Sequence, residues 1–334
     1  MSSSDLAATR ARAFPALSDR SVDRVFVVLA GWLMTGVFSD AWAHISHLPD
    51  SFWTPWHGVL YSGLLACGAF LFVLRYQRNA ALAAGYDLSL IGFGIGALGG
   101  VADAIWHTVF GIEFDIDAAV SPSHLIIAGA ILLVVTGPAR VAWRRRSFGL
   151  PAALSTLYGL SIVTVIVDYA NPFARVFGAG VPPASHDIGQ LLQGEALFAF
   201  TAYAALLVGF MLLTTRSGNV SPVWIALVVG GNMAVMTLVN GPLHPEAVPA
   251  FLIVSVAGGA IAAGLALWLR PSRANPNGTR IFAVALPGLA FAVYAVAILA
   301  MGPTWWTATF WCGLIAVGGL TGLLLSALVT TERA

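Results

Sequence analysis

Two sets of one aspartate and two histidines recur in this chain at a spacing that could hold metal ions. They are Asp40, His44 and His57, the first triad, and Asp103, His107 and His124, the second triad. In each triad the Asp precedes the first His by four residues, and on a helix such side chains share one face. The last His stands two residues after a proline, which is tolerated at a helix start. It could therefore close on the pair from the head of the next helix, and each triad predicts a metal site.

Three protein ligands leave positions open for water, dioxygen or substrate, as in catalytic metal sites. The same ligand set occurs in non-haem iron sites, and imidazole also suits copper and zinc, so ligand type alone leaves the metal open. The alternative is a rim of polar helix ends that hydrogen-bond at the level of the lipid headgroups. An ionisable residue at membrane depth costs at least ~2.5 kcal/mol, so the repetition of the pattern favours a bound cation.

Three acidic residues lie close to the second triad in sequence. Glu113, Asp115 and Asp117 alternate, and in an extended loop all three would lie on one side. They could orient imidazole N–H groups, guide an incoming cation or carry protons; the alternative is a solvated loop. His47 could be a spare ligand, although an interfacial histidine is the plainer interpretation. These patterns assign no residue a catalytic role.

A further polar group lies in the second half of the chain. Asp168, His186 and Glu195 could form a third metal site. The alternative is a polar network between helices, in which Arg175 would neutralise Asp168.

The composition predicts an integral membrane protein. Of 334 residues, 58% are hydrophobic and only 9% are charged, whereas a soluble domain carries roughly 25% charged residues. Neither a basic patch for nucleic acid nor a CxxC pair stands in the sequence. Because a membrane span needs about 20 apolar residues, we predict an all-α, polytopic bundle of about ten transmembrane helices built from tandem helical hairpins. The predicted segments are 25–46, 57–74, 86–108, 121–141, 149–169, 190–214, 221–241, 247–268, 281–301 and 305–329.

The distribution of arginine predicts the orientation. Apart from Arg175, the arginines fall in the terminal segments or in connections on one side of the predicted bundle, which the positive-inside rule assigns to the cytoplasm. Both termini are then cytoplasmic, and all seven histidines lie at the extracytoplasmic face of the plasma membrane. We expect a cytoplasmic segment at 1–24, a metal-site half with two hairpins at 25–145, and a scaffold half with degenerate repeats at 146–334.

The spacing Asp-x3-His-x12-His, at the end of one membrane helix and the start of the next, resembles the C subunit of the copper membrane monooxygenases, the particulate methane and ammonia monooxygenase family. The resemblance covers about residues 36–130. It implies that the first triad holds one copper ion and the second triad another. The second triad departs from the family in having Asp103 where the family has Asn, and in a longer gap before His124.

The leading functional hypothesis is therefore a copper-dependent, monooxygenase-like oxidoreductase, or a subunit of one, that acts on a small apolar substrate reached from the bilayer. Partner membrane subunits or a homo-oligomer would accompany it. A rival hypothesis is a protein that captures, transports or senses metal ions without catalysis. A third hypothesis is a structural subunit with a degenerate site. The two intact triads argue against it.

Overall fold

The structure, a computed structural model, describes residues 18–49, 51, 53–77, 82, 85–113, 115–218 and 220–330. These residues form twelve α-helices and two short 3-10 helices, Asp168–Ala170 and Gly241–Leu243. The α-helices are α1 (Asp19–Ile45), α2 (Pro55–Gln77), α3 (Asp87–Phe110), α4 (Asp115–Val120), α5 (Pro122–Val135), α6 (Gly137–Arg145), α7 (Leu150–Ile166), α8 (His186–Thr215), α9 (Pro222–Val239), α10 (Val248–Leu269), α11 (Pro276–Met301) and α12 (Ala308–Thr330).

The predicted all-α, polytopic membrane fold is confirmed. Eight of the described helices, α1, α2, α3 and α8 to α12, are long and apolar enough to cross a membrane. The other two predicted segments correspond to α7, an apolar helix of 17 residues, and to the pair α5 and α6. That pair is bent by 40°, and Pro138, which lacks a backbone N–H and disrupts helical hydrogen bonding, stands just after the break.

Consecutive helices pack as hairpins, and glycines let two of these pairs approach closely. In the pair of α1 and α2, a Cβ atom on Gly36 would lie 2.4 Å from the backbone of Leu60. In the pair of α3 and α5, a Cβ atom on Gly92 would lie 2.7 Å from the carbonyl oxygen of Ala130. Small residues at such crossings are typical of membrane helices, because close packing drives their association in lipid. These two pairs bring the ends of α1 and α3 against the starts of α2 and α5.

Helix α7 connects the first half of the bundle with the second. It packs against α1, α5 and α9, and its residues belong to two buried apolar clusters. One cluster draws on α1, α2 and α5 and includes Ile162, and the other draws on α8 to α12 and includes Leu160. The division at residue 145 stays a prediction, and most of the segment 1–24 lies outside the described residues.

Candidate metal centre

The first triad forms where α1 ends and α2 begins. Asp40 and His44 lie in the last turns of α1, and His57 lies in the first turn of α2. Asp40 Oδ1 is 3.0 Å from His57 Nε2 and 3.8 Å from His44 Nε2. One potential ligand atom from each side chain lies within 4.8 Å of the others. The spacing of these residues therefore places them together as the sequence predicts.

The second triad repeats this arrangement where α3 ends and α5 begins. Asp103 Oδ1 is 3.4 Å from His107 Nε2 and 3.2 Å from His124 Nε2. Gly111 ends α3 with a φ of 87°, a left-handed conformation that glycine adopts without steric cost. Ser121 caps the start of α5 by accepting a hydrogen bond from the His124 backbone N–H. Both ends of the connection are thus fixed close to the triad.

Hydrogen bonds at the outer ring nitrogens determine the tautomer of three histidines. Nδ1 of His57 lies 3.1 Å from the Ser51 carbonyl oxygen, and Nδ1 of His107 lies 3.2 Å from that of Gly111. Nδ1 of His124 contacts the carbonyl oxygen of Ala118 in the same way. Since a carbonyl only accepts hydrogen bonds, we infer that the proton of each neutral ring is on Nδ1. The Nε2 lone pairs then face the aspartate oxygens.

When the rings are neutral with the proton on Nδ1, this arrangement brings acceptor atoms together with no hydrogen between them. Within the described part of the chain, Asp40 Oδ1, Asp103 Oδ1 and His107 Nε2 are buried and have no hydrogen-bond partner. Buried acceptors without a donor are costly. Two ligand atoms that each lie about 2.1 Å from one ion are separated by about 3.0 Å at 90° and by about 3.4 Å at a tetrahedral angle. The separations of 3.0 to 3.8 Å are close to these values, so each triad has the donor set and the size for one ion.

Both triads face the same cavity, which has a volume of about 180 Å³. Five of the six triad residues line it, and the rings of His44 and His124 are 6.1 Å apart between centroids. Most of the remaining lining is apolar and comes from α1, α2, α4, α5 and α7. The second half of the chain adds Asp168, Tyr169, Arg175, Asn240 and Leu243. Sequence spacing predicted the triads but did not indicate that they share a cavity.

The predicted alternation of acidic residues in an extended loop is wrong, because residues 115–120 form helix α4. Successive residues of an α-helix are about 100° apart, so Asp115 and Asp117 cannot share one face. Asp117 is exposed, and the side chain of Asp115 lies outside the described part. Glu113 precedes the helix and lies beside the second triad, where it accepts a hydrogen bond from Trp106 Nε1 and has Oε2 3.3 Å from His107 Nδ1.

The residues proposed for a third site are not brought together in the described part of the chain, where the two triads are the groups found with metal-ligand spacing. Glu195 forms an ion pair of 2.7 Å with Arg175. His186 begins α8 and does not line the cavity. Asp168 does line it, and burial raises the pKa of its carboxyl group to about 6, against the partly offsetting charge of Arg175.

Two further residues, His47 and Tyr61, lie near the triads in sequence but belong to neither of them. His47, considered as a spare ligand, is exposed just beyond α1 and belongs to neither group. Tyr61, which the sequence reasoning missed, donates a hydrogen bond from its hydroxyl to Asp103 Oδ2 at 3.1 Å. The available signal was its position four residues after His57, which places both side chains on one face of α2.

Comparison of the chain with protein-family models, with curated proteins and with solved structures finds no match. The resemblance to the C subunit of copper membrane monooxygenases therefore depends on the sequence motifs of the two triads alone. The fold and the site describe a membrane-spanning helical protein, in contact with lipid, with two His/Asp groups that could hold metal ions.

Proposed function

We propose that this protein is a membrane metalloprotein that binds two ions in one cavity, one in each triad. The observation that carries the proposal is the convergence, in both triads, of imidazole Nε2 atoms on one buried aspartate Oδ1 atom, which has no hydrogen-bond partner among the described residues. Backbone carbonyls hold the outer nitrogens of His57, His107 and His124 in the protonated state, so the inner nitrogens of these neutral rings present lone pairs to an ion. The protein thus fixes both the tautomer and the direction of its ligands.

The metal that we propose is copper, and the activity is that of a monooxygenase-like oxidoreductase or of a subunit of one. The donor set of one carboxylate and two imidazoles suits copper, iron and zinc, and the resemblance of the first triad to the copper monooxygenase family favours copper. A copper ion with open coordination positions supplies one-electron redox chemistry. The residues of this chain would hold the ions, exclude bulk water and position a substrate beside them.

The cavity supports a small, largely apolar substrate. Its volume is about 180 Å³, and an apolar cavity of roughly 150 Å³ is known to bind benzene. Apolar side chains from α1, α2, α5 and α7 form most of the wall, while the triads supply a polar patch on it. A substrate that dissolves in lipid would reach such a site from the bilayer, within one chain or at the contact with a partner membrane subunit.

A second candidate is capture or sensing of a metal ion without catalysis. Asp40 is 19% exposed and His124 is 15% exposed, so an ion from the aqueous side could reach both triads. Transport would also need ligands through the membrane. Among the residues that the structure describes, the groups with metal-ligand spacing are the two triads. Each triad lies where the first helix of a hairpin ends and the second begins, and both triads line one cavity. This favours capture over a pore.

Single ligand substitutions test the proposal. His57→Ala and His124→Ala should each lower the bound metal by about one equivalent per chain, measured by mass spectrometry of the purified protein. His47→Ala and His186→Ala are matched controls, because these histidines lie outside both triads, and both variants should keep the full content. Wild-type stoichiometry in His57→Ala and His124→Ala would overturn the ligand assignment. Oxygen consumption that depends on copper and on an added short-chain hydrocarbon separates catalysis from capture.

A further inference from the structure

Helix α2 carries one member of the first triad and a second side chain that contacts the second triad. Tyr61 lies four residues after His57, so one face of α2 presents both residues. His57 completes the first triad, whereas the Tyr61 hydroxyl donates to Asp103 Oδ2 in the second triad at 3.1 Å. The two rings are 6.2 Å apart between centroids, and both residues line the shared cavity.

The two oxygens of Asp103 have different surroundings. Oδ1 faces Nε2 of His107 and of His124 at 3.4 and 3.2 Å, and Oδ2 accepts the hydrogen bond from Tyr61. Asp103 is only 1% exposed, so the carboxylate has little contact with bulk water. A buried carboxylate oxygen needs a donor, and the hydroxyl supplies one to the oxygen that the histidines do not face. It thereby fixes the rotation of the carboxylate.

The space for the Tyr61 ring depends on a glycine in α3. A Cβ atom on Gly100 would lie 2.7 Å from Cε1 of Tyr61, which is shorter than an ordinary carbon–carbon contact. Gly100 precedes Asp103 by three residues and therefore lies on the same face of α3. The helix that carries Asp103 thus also leaves room for the tyrosine that binds it.

We propose that Tyr61 is a positioning residue for the second metal site. It holds Asp103 so that Oδ1 alone is directed to the ion, and it satisfies Oδ2. The inference rests on the proposed function, because it requires that the second triad binds an ion. Without the hydroxyl, Oδ2 loses its donor, and the carboxylate turns or presents both oxygens to the ion. The ligands of the first triad stay in place, because the ring beside His57 is retained in a phenylalanine variant.

The test is Tyr61→Phe in the full-length protein in detergent, loaded with Cu(II). Loss of a hydrogen-bond partner of a ligand typically costs 10–100-fold in metal affinity. In a chelator competition, we expect the affinity for one of the two copper ions to fall by that factor. The affinity for the other ion should stay within about twofold of the wild-type value. The paramagnetic resonance spectrum should change in one of its two copper components. Tyr158→Phe is the control, because Tyr158 lies on α7 and does not line the cavity.

A second variant perturbs the same contact from α3. Gly100→Ala keeps the Tyr61 hydroxyl but displaces the Tyr61 ring. It should therefore lower the affinity for the same copper ion and alter the same component of the spectrum. Residues that act through one contact are not additive, so Tyr61→Phe/Gly100→Ala should lose little more affinity than Tyr61→Phe. If Tyr61→Phe binds two copper ions with wild-type affinity and an unchanged spectrum, the role of Tyr61 is overturned and the proposed function is not. If Tyr61→Phe fails to fold, wild-type copper affinity and an unchanged spectrum in Gly100→Ala overturn the role of Tyr61. A wild-type protein that binds no copper would instead overturn the proposed function.

Discussion

The close contact between α1 and α2 allows a test of the first metal site that leaves every ligand in place. Gly36 precedes Asp40 by one helical turn, and Leu60 follows His57 by about one turn. A Cβ atom on Gly36 would lie 2.4 Å from the Leu60 backbone. Carbon atoms pack at about 3.5–4.0 Å, so Gly36→Ala should push the two helices apart by about 1 Å at this point.

That shift is large compared with the tolerance of a metal site. The distance from Asp40 Oδ1 to His57 Nε2 is 3.0 Å, and it would rise to about 4 Å, close to the ~4.2 Å maximum for two ligands that each lie about 2.1 Å from one ion. Sites of this kind need their ligands within about 0.5 Å of the productive position. Gly36→Ala should therefore lose about one metal equivalent per chain and keep the second. Overpacking of this kind also costs about 1–3 kcal/mol of stability.

The assay is metal content by mass spectrometry, together with chelator competition and thermal unfolding in detergent. Gly94→Ala is the matched control, because a Cβ atom on Gly94 meets no other atom within 4 Å, and this variant should keep both ions. If folded Gly36→Ala holds both ions with wild-type affinity, the first site does not depend on the close approach of α1 and α2, contrary to our expectation. Loss of both ions would contradict this expectation, because all three ligands of the second triad lie on α3 and α5.

Further predictions concern the surroundings of the triads and the orientation of the chain. Glu113→Gln should lower the metal affinity of the second triad 10–100-fold in chelator competition, because it removes the charge beside His107 Nδ1. Asp117→Asn, at an exposed residue, should leave the metal affinity of the second triad unchanged. The pKa of Asp168 is raised to about 6 in the folded protein from an ordinary value of about 4. Asp168→Asn should therefore stabilise the metal-free protein relative to wild type above pH 6, and thermal unfolding across pH 4–8 should show this gain shrinking as the pH falls; a gain independent of pH would contradict the burial argument. Ser51→Cys, in a background without the exposed Cys312, should react with an impermeant maleimide outside intact cells; reaction only after lysis would reverse the proposed orientation.

The local features of this protein could be predicted from its sequence, because they depend on short spacings. Ten apolar segments correspond to described helices or to the bent pair. The four-residue step from Asp to His, followed by a Pro-x-His, placed each triad at a helix hairpin. Helix periodicity and the length of a membrane span are properties of consecutive residues, so one sequence is enough to infer them.

The features that the sequence did not reveal depend on contacts between distant residues. The shared cavity arises because the hairpin of α1 and α2 packs beside that of α3 and α5, and no local spacing encodes this. Tyr61 bonds to Asp103 across 42 positions of sequence, and Asn240 reaches the cavity from the second half. Helix α4 was missed because its six residues are too few for a periodic pattern, and the alternating acids suggested an extended loop.

The most direct test of the central claim is the metal content of the wild-type protein, purified from cells supplied with copper, iron and zinc together. We predict two equivalents of metal per chain and, from the proposed function, that the metal is copper. We also predict that Asp40→Ala/Asp103→Ala, which removes the aspartate ligand of each triad, binds far less. A wild-type protein that holds no metal after gentle purification and after reconstitution with each ion would contradict the account, and the triads would then be a polar rim at the helix ends.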